Sequence, residues 1–297
     1  MILPNGLSAF PITPADPSGC VDVGALRRLV TPLRDAGVDS IGLLGSTGSY
    51  PYLSRQERRR AVEAALDAVG TDVPILVGVG ALRTDEAVAL AQDARAMGAA
   101  AGLLAAISYT PLTEDEVFAH FVTVARESGL PLCIYDNPGT THFAFTAALV
   151  GRLSREPGVI AVKSPACAPP EITAHLQGLR EAVPAGFSLG YSGDWNTVDA
   201  LLAGADTWYS VMGGLFPQTA MAIVRAIRTG DHIAARELDV RLQPLWSLFK
   251  EFSSLRVIYA YADALGVCHT DPPRPILPLP DRVRDRVVQT LRGLDLR

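Results

Sequence analysis

Short apolar runs recur along this chain about every 30 residues, and this repeat limits most strongly what the chain can fold into. The runs are residues 7–12, 40–44, 74–79, 102–107, 130–135, 159–163, 186–190 and 207–211. They are continuously apolar rather than alternating, which is typical of parallel strands covered on both faces. An interval of about 30 residues accommodates one strand and one helix. The repeat therefore predicts eight parallel strand–helix units.

The stretches between the runs carry helix signals. Residues 23–36 place their leucines on one stripe. Residues 54–69 begin with Ser54 and have Glu57 three positions on, the pattern of a capping box. Residues 84–97 and 113–128 carry acids in their first turns. Glycines stand where the helix ends are expected, at Gly37, Gly98 and Gly129.

We therefore predict the α/β class, as a (β/α)8 TIM barrel with an appended C-terminal helical region. After residue 211 the pattern becomes helical, at residues 217–228, 232–249, 254–265 and 281–294. The first of these can serve as the eighth barrel helix. The predicted division is a barrel over residues 1–229 and helices packed on it over residues 230–297. Active-site residues are expected where the strands end, at their C-terminal side.

Charge and apolar content exclude several classes of protein. The 297 residues carry a net charge of −5, which argues against a nucleic-acid partner. The longest apolar run, residues 97–107, is far shorter than the roughly 20 residues of a membrane span. The N-terminus lacks the pattern of a signal peptide, and the four cysteines form no C-x-x-C pair. We expect a cytoplasmic protein without a membrane partner.

Lysine is rare here. Lys163 and Lys250 are the two lysines among 26 basic Lys and Arg residues. Lys163 ends the sixth apolar run, where burial makes an ammonium costly and favours the free amine that can attack a carbonyl. The alternative is a lysine paired with a carboxylate at the barrel rim. Lys250 lies beside Glu251 in a helical stretch and is expected at the surface. We interpret Lys163 as the candidate nucleophile.

Two further strand ends carry polar groups. Ser46 and Thr47 lie between glycines after the second run and offer donors to an anion, although glycine and serine also dominate ordinary turns. Tyr135 ends the fifth run, where it could relay protons or make a structural hydrogen bond. With Lys163 these groups indicate Schiff-base chemistry on a 2-oxo acid, in which a protonated imine serves as the electron sink.

Motifs for other chemistries are missing or incomplete. Gly78 and Gly80 open like a dinucleotide loop, but Arg83 occupies the place of the third glycine. The sequence has no Walker or H-E-x-x-H motif, and its five histidines are too dispersed to suggest a local metal site. We expect no metal, nucleotide or flavin, and a covalent imine through Lys163 in their place.

Several segments together resemble a known family. They are Phe10-Pro-Ile-Thr-Pro14, Gly45-Ser-Thr-Gly48, Tyr135 with Pro138 three residues on, Val162-Lys163, and Ser192-Gly193-Asp194. With these segments the chain resembles the dihydrodipicolinate synthase / N-acetylneuraminate lyase family of class I aldolases over nearly its whole length. The resemblance implies a lyase that acts on pyruvate or a related 2-oxo acid and an aldehyde.

The resemblance also implies roles for individual residues. Lys163 matches the lysine that forms the imine, and Tyr135 matches the tyrosine that shuttles protons to and from it. Thr47 matches a hydroxyl that helps to bind the pyruvate carboxylate, and Ser46 one that relays protons to the tyrosine. Gly193 matches a backbone position near the substrate.

Tyr109 matches an aromatic hydroxyl that a neighbouring subunit contributes to the proton relay. Members of the family are commonly tetramers built from tight dimers. The resemblance therefore implies a homo-oligomer, either a dimer or a tetramer, in whose assembly the C-terminal helices often take part.

Departures from the family pattern fall in the half of the site that would hold the second substrate. Synthases resembling this chain carry an arginine that binds the aldehyde's carboxylate, and this chain has Thr140 there. A threonine cannot replace a bidentate carboxylate clamp without a large loss of affinity. Ser49 stands where an acid is common, and residues 164–167 also differ.

Three alternatives to a general 2-oxo acid lyase remain open at this point. They are an authentic 4-hydroxy-tetrahydrodipicolinate synthase of lysine biosynthesis, a keto-deoxy sugar acid aldolase or dehydratase, and a catalytically silent barrel that binds a 2-oxo acid. Thr140 argues against the first. The retained Lys163 and Tyr135 argue against the last.

Overall fold

The computed structural model describes residues 5–165, 167–294 and 296–297. Eight parallel strands close in chain order into a barrel, with helices between them, so the predicted fold is confirmed. The strands are β1 Gly6–Ala9, β2 Ser40–Leu43, β3 Ile75–Gly78, β4 Ala101–Ala105, β5 Leu132–Tyr135, β6 Val159–Ser164, β7 Ser188–Tyr191 and β8 Thr207–Ser210. Every strand residue is buried, which explains why the sequence shows continuous apolar runs.

Helices follow the strands and then continue alone to the C-terminus. They are α1 Val23–Ala36, α2 Arg55–Val69, α3 Thr84–Met97, α4 Glu114–Ser128, α5 Pro138–Thr141, α6 Ala147–Leu153, α7 Pro169–Ala182, α8 Thr197–Leu202, α9 Pro217–Arg228, α10 His232–Arg241, α11 Gln243–Phe252, α12 Ser254–Ala264 and α13 Asp281–Arg292. In the part of the chain that the structure describes, no helix is both long and apolar enough to cross a membrane.

Residue contacts group the chain into two compact units. One unit contains Pro74–Tyr209, with strands β3 to β8. The other contains Leu7–Val73 and Ser210–Arg297, with β1, β2 and the C-terminal helices. The division of the chain at residues 229 and 230 stays a prediction.

The ends of the helices follow the sequence signals with one correction. Ser54 caps α2 by accepting from the Glu57 amide at 3.2 Å. The predicted capping box is wrong here, because the Glu57 carboxylate accepts from the backbone of Val21 at 2.7 Å. Glu57 therefore ties the loop before α1 to the start of α2. A complete box is found at α4, where the side chains and amides of Thr113 and Glu116 bond reciprocally.

The C-terminal region departs from the prediction at one point. A single helix over residues 232–249 is wrong, since α10 ends at Arg241 and α11 begins at Gln243. Pro244 lies in the first turn of α11, where a missing N–H costs nothing, but it could not donate within a continuous helix. The last helix is anchored by Arg286, which makes two hydrogen bonds to Glu251 on α11, at 2.9 and 2.7 Å.

Candidate active site

Lys163 lies near the C-terminal end of β6 and is 5% exposed. It is paired in register with Tyr135, the last residue of β5. Its Nζ is 4.1 Å from the centroid of the Tyr135 ring and 5.9 Å from that of Tyr209 on β8. The fold therefore brings the predicted nucleophile against the predicted proton carrier, with the Tyr209 ring as a second aromatic neighbour.

Gly190 makes room for this arrangement. It is opposite Lys163 on β7, and a Cβ there would lie 2.5 Å from Cε2 of Tyr209 and 2.8 Å from Cβ of Thr207. The ring of Tyr209 thus occupies the space that any larger residue at position 190 would need. A glycine is required at this position for the two aromatic rings to flank the lysine.

Tyr209 is buried beside a thiol. Its hydroxyl lies 3.4 Å from Sγ of Cys133, inside the barrel. Burial raises the pKa of the Cys133 thiol to about 12 and the pKa of Tyr209 well above its ordinary value. These two side chains are therefore neutral at neutral pH.

Tyr135 is buried, and its hydroxyl oxygen accepts a hydrogen bond from Nδ2 of Asn137 at 2.9 Å. Between these two residues Asp136 is 7% exposed and accepts from the backbone N–H of Phe145 at 3.4 Å. Burial raises the pKa of Asp136 to about 6. A weakly acidic carboxyl group and an amide thus follow the tyrosine directly along the chain.

The short helix α5 carries Thr140. Its side chain is exposed, and Oγ1 donates to the carbonyl of Asn137 at 3.2 Å.

Tyr109 lies in the loop after β4 and is 97% exposed. This exposure leaves Tyr109 almost without contacts in its own chain, so a single chain does not bring it to the Lys163–Tyr135 pair.

Gly193 follows β7 with a φ of +84°, a conformation that glycine adopts without strain. The preceding residue, Ser192, donates to the carbonyl of Ser164 through its N–H at 2.9 Å and its Oγ at 3.0 Å. These bonds hold the loop after β7 to the end of β6, one residue beyond Lys163.

The Gly45–Gly48 loop follows β2 in the other compact unit. A Cβ on Gly45 would lie 2.8 Å from the Phe10 ring, and one on Gly48 would lie 2.9 Å from the backbone of Leu44. Packing therefore fixes both glycines. Between them, Ser46 is partly exposed and Thr47 is buried.

Sequence reasoning missed three polar groups near the lysine: Tyr209, Asn137 and Asp136. Tyr209 alternates with Thr207 in the eighth apolar run, a spacing that could have placed both inside the barrel. Asp136 and Asn137 read only as part of a turn before Pro138. Among the residues that the structure describes, no group of three or more His, Cys, Asp or Glu could hold a metal ion.

The fold and the site define the class of this protein, which is a (β/α)8 barrel with a buried lysine near the end of its sixth strand. Comparison with known proteins defines the family. The model of the dihydrodipicolinate synthetase family matches residues 3–294. The chain belongs to this family. A curated relative, the 4-hydroxy-tetrahydrodipicolinate synthase of Methylococcus capsulatus, is 32% identical over 285 residues, 94% of this chain and 95% of the relative. The synthase of Thiobacillus denitrificans is 32% identical over 289 residues, 96% of this chain and 95% of the relative.

Solved structures agree with this family. The dihydrodipicolinate synthase from Agrobacterium tumefaciens is 52% identical, with a TM-score of 0.96 and 98% of each chain covered. A putative dihydrodipicolinate synthetase from Pseudomonas aeruginosa is 30% identical, with a TM-score of 0.90 over 98% of this chain and 99% of the other. The predictions of the family, the barrel and a Schiff-base lyase of the dihydrodipicolinate synthase type are confirmed.

Proposed function

We propose that this protein forms or cleaves a C–C bond through an imine between Lys163 and pyruvate or a related 2-oxo acid. The observation that carries the proposal is the burial of Lys163 near a strand end, with its Nζ 4.1 Å from the centroid of the Tyr135 ring. A barrel enzyme holds its reactive groups at this end of its strands.

The chemistry needs no further cofactor. The Lys163 amine adds to the keto carbon, water leaves, and the protonated imine accepts the electron pair released when a proton leaves the adjacent carbon. The resulting enamine attacks an aldehyde carbon, and hydrolysis frees the lysine. The reverse sequence cleaves the same bond. Tyr135 carries protons in both directions.

The remaining site residues hold the substrate. Thr47 binds the 2-oxo acid carboxylate, Ser46 passes protons to Tyr135, and Gly193 offers its backbone to the substrate. Ser46 and Thr47 lie in the loop after β2, and Gly193 lies in the loop after β7, both strands of the one parallel barrel. Tyr109 completes the relay in a neighbouring copy of the chain, which its 97% exposure permits. The working form in this proposal is a cytoplasmic homo-oligomer, a dimer or a tetramer.

The second substrate differs from that of a lysine-pathway synthase. The curated relatives are named 4-hydroxy-tetrahydrodipicolinate synthases, and these names support that activity as the second candidate. Thr140 argues against it, because its hydroxyl is bonded to the Asn137 carbonyl and a threonine has no bidentate donor. We therefore propose that Thr140 lies beside an aldehyde that has no carboxylate at that position. Sugar-derived keto acids are the compounds with which to test this proposal.

Borohydride trapping with pyruvate tests the imine. Trypsin cuts after Arg155, Lys163 and Arg180, and a reduced adduct on Lys163 blocks the middle cut. We expect the adduct in the peptide of residues 156–180 and expect it to be absent in Lys163→Arg. Lys250 provides an internal control, since its peptide should stay unmodified.

Two outcomes would change the assignment. Folded protein that yields no adduct with pyruvate or with sugar-derived keto acids would support a silent binding barrel. Growth rescue of a lysine auxotroph that lacks its own synthase would overturn the argument from Thr140 and establish the second candidate.

A further inference from the structure

Asn137 lies two residues beyond Tyr135, and several hydrogen bonds to its carbonyl fix its backbone. Its backbone carbonyl accepts from the N–H groups of Thr140 at 2.9 Å and Thr141 at 3.0 Å. The same carbonyl accepts from both threonine hydroxyls, at 3.2 and 3.1 Å. Pro138 follows and further restricts the backbone of Asn137. The backbone of Asn137 is therefore fixed, and its side-chain Nδ2 donates to the Tyr135 oxygen at 2.9 Å.

This contact limits where the proton of Tyr135 can point. A phenol oxygen has one proton to donate and accepts through its lone pairs. Because Nδ2 of Asn137 donates to that oxygen, the Tyr135 proton must point away from Asn137. Lys163 is the neighbouring residue in the strand register and carries the nitrogen that the reaction uses.

We propose that Asn137 is a positioning residue for proton transfer, whose amide N–H turns the Tyr135 hydroxyl proton toward the reacting groups on Lys163. The inference rests on the proposed function, in which Tyr135 moves protons to and from the imine and enamine. It adds that the direction of the Tyr135 hydroxyl is set by a residue that does not touch the substrate.

The assay follows one step and needs no aldehyde. In deuterium oxide, an enzyme that forms the pyruvate enamine exchanges the methyl protons of pyruvate for deuterium, and NMR measures the rate. Asn137→Asp keeps the size of the side chain but replaces the donating amide by an accepting carboxylate. At pH 8 we expect the exchange rate at saturating pyruvate to fall at least about tenfold, because a misdirected hydroxyl loses part of the roughly 10²–10⁴-fold contribution of general acid–base catalysis. The pyruvate concentration that gives half-saturation should change less than about twofold, since the substrate contacts stay intact.

The pH dependence separates positioning from damage to the fold. As pH falls towards 4, close to the ordinary aspartate pKa of about 3.9, protonation of the new carboxyl group restores a donor, so the exchange rate relative to wild type should rise. The titratable and charged groups on or beside the packed elements, Lys163, Tyr209, Asp136 and His142, are the same in both proteins, so their effects largely cancel in this ratio. Asn137→Leu also removes the donor but cannot regain it, and its ratio should stay low and flat with pH.

A matched control and the trapping experiment complete the design. Asn5→Asp adds the same charge before the N-terminal end of β1 and should exchange at the wild-type rate. An Asn137→Asp enzyme with wild-type exchange at pH 8, or with a ratio that does not change with pH, would overturn the positioning role. A wild-type enzyme that gives no reduced adduct on Lys163 would instead overturn the proposed function, so the two failures are distinguishable.

Discussion

At the scale of single residues, the site depends on side chains whose neighbours restrict them. Lys163 could be identified from the sequence, because a chain that otherwise uses arginine places a lysine at the end of an apolar run. The Tyr209 ring near it could not, since its place depends on the missing side chain of Gly190, which pairs with Lys163 in the strand register. The amide of Asn137 could not be predicted either, because its direction depends on the backbone of a turn.

Gly190→Ala tests the packing around the lysine. The new methyl group would lie 2.5 Å from Cε2 of Tyr209, so the ring must move. We expect a loss of about 1–3 kcal/mol in the free energy of unfolding, measured by urea denaturation. Gly178→Ala is the control, because it lies in α7 with open space at its Cβ and should stabilise by up to about 1 kcal/mol. Equal stability of the two variants would contradict the packing argument.

Asp136 makes stability depend on pH. Burial raises its pKa from 3.8 to about 6, so the folded protein holds this proton more tightly than the unfolded chain does. The stabilisation by the proton is present below about pH 4 and is lost as pH rises to about 6. The side-chain amide introduced by Asp136→Asn would not titrate.

The expected gain of Asp136→Asn over wild type therefore grows from pH 4 to pH 7, by on the order of 2 kcal/mol. Denaturation by urea at both pH values measures it. Phe145 keeps its acceptor in this variant because the asparagine oxygen remains. A stability difference that is the same at both pH values would show that Asp136 has no raised pKa in the folded protein.

At the scale of elements, most of the fold followed from local patterns. The strands, helices α1 to α4 and α9 appear where apolar runs and helix signals predict them, since each signal acts within a few residues. The misplaced details depend on distant partners. The Glu57 carboxylate does not complete the cap of α2, because it accepts a hydrogen bond from the amide of Val21, which is far away in sequence. Pro244 indicates a break between α10 and α11. The apolar pattern continues across this point, however, and therefore predicts one helix.

Thr113→Ala tests the capping box of α4. The substitution removes the acceptor for the Glu116 amide and the donor to the Glu116 carboxylate. We expect a loss of about 1 kcal/mol in the free energy of unfolding. Thr123→Ala, within the same helix, removes a hydroxyl that bonds the Ala119 carbonyl and should change stability by less than about 0.5 kcal/mol. If both variants lose the same stability, the box does not stabilise the helix.

At the scale of the whole molecule, the sequence predicts a barrel because its repeat continues for eight units and then stops. Assembly is a property of several chains, and in the proposed function it involves Tyr109. This aromatic side chain is 97% exposed in one chain, so its proposed role requires a second chain.

Tyr109→Phe separates assembly from catalysis. The ring remains for packing, while the relay loses its hydroxyl. We expect an unchanged oligomer mass by light scattering, pyruvate binding within about twofold of wild type, and turnover lowered by about tenfold or more. An unchanged turnover in an oligomer of native mass would refute a relay through this hydroxyl.

The placement of the two lysines has a practical consequence for handling the protein. Lys163 is buried, whereas Lys250 is exposed on α11. Amine-reactive dyes and surface-coupling reagents should therefore modify the Lys250 side chain in preference to that of Lys163. Attachment through Lys250 could be made in the unaltered sequence, with no cysteine engineered for the purpose.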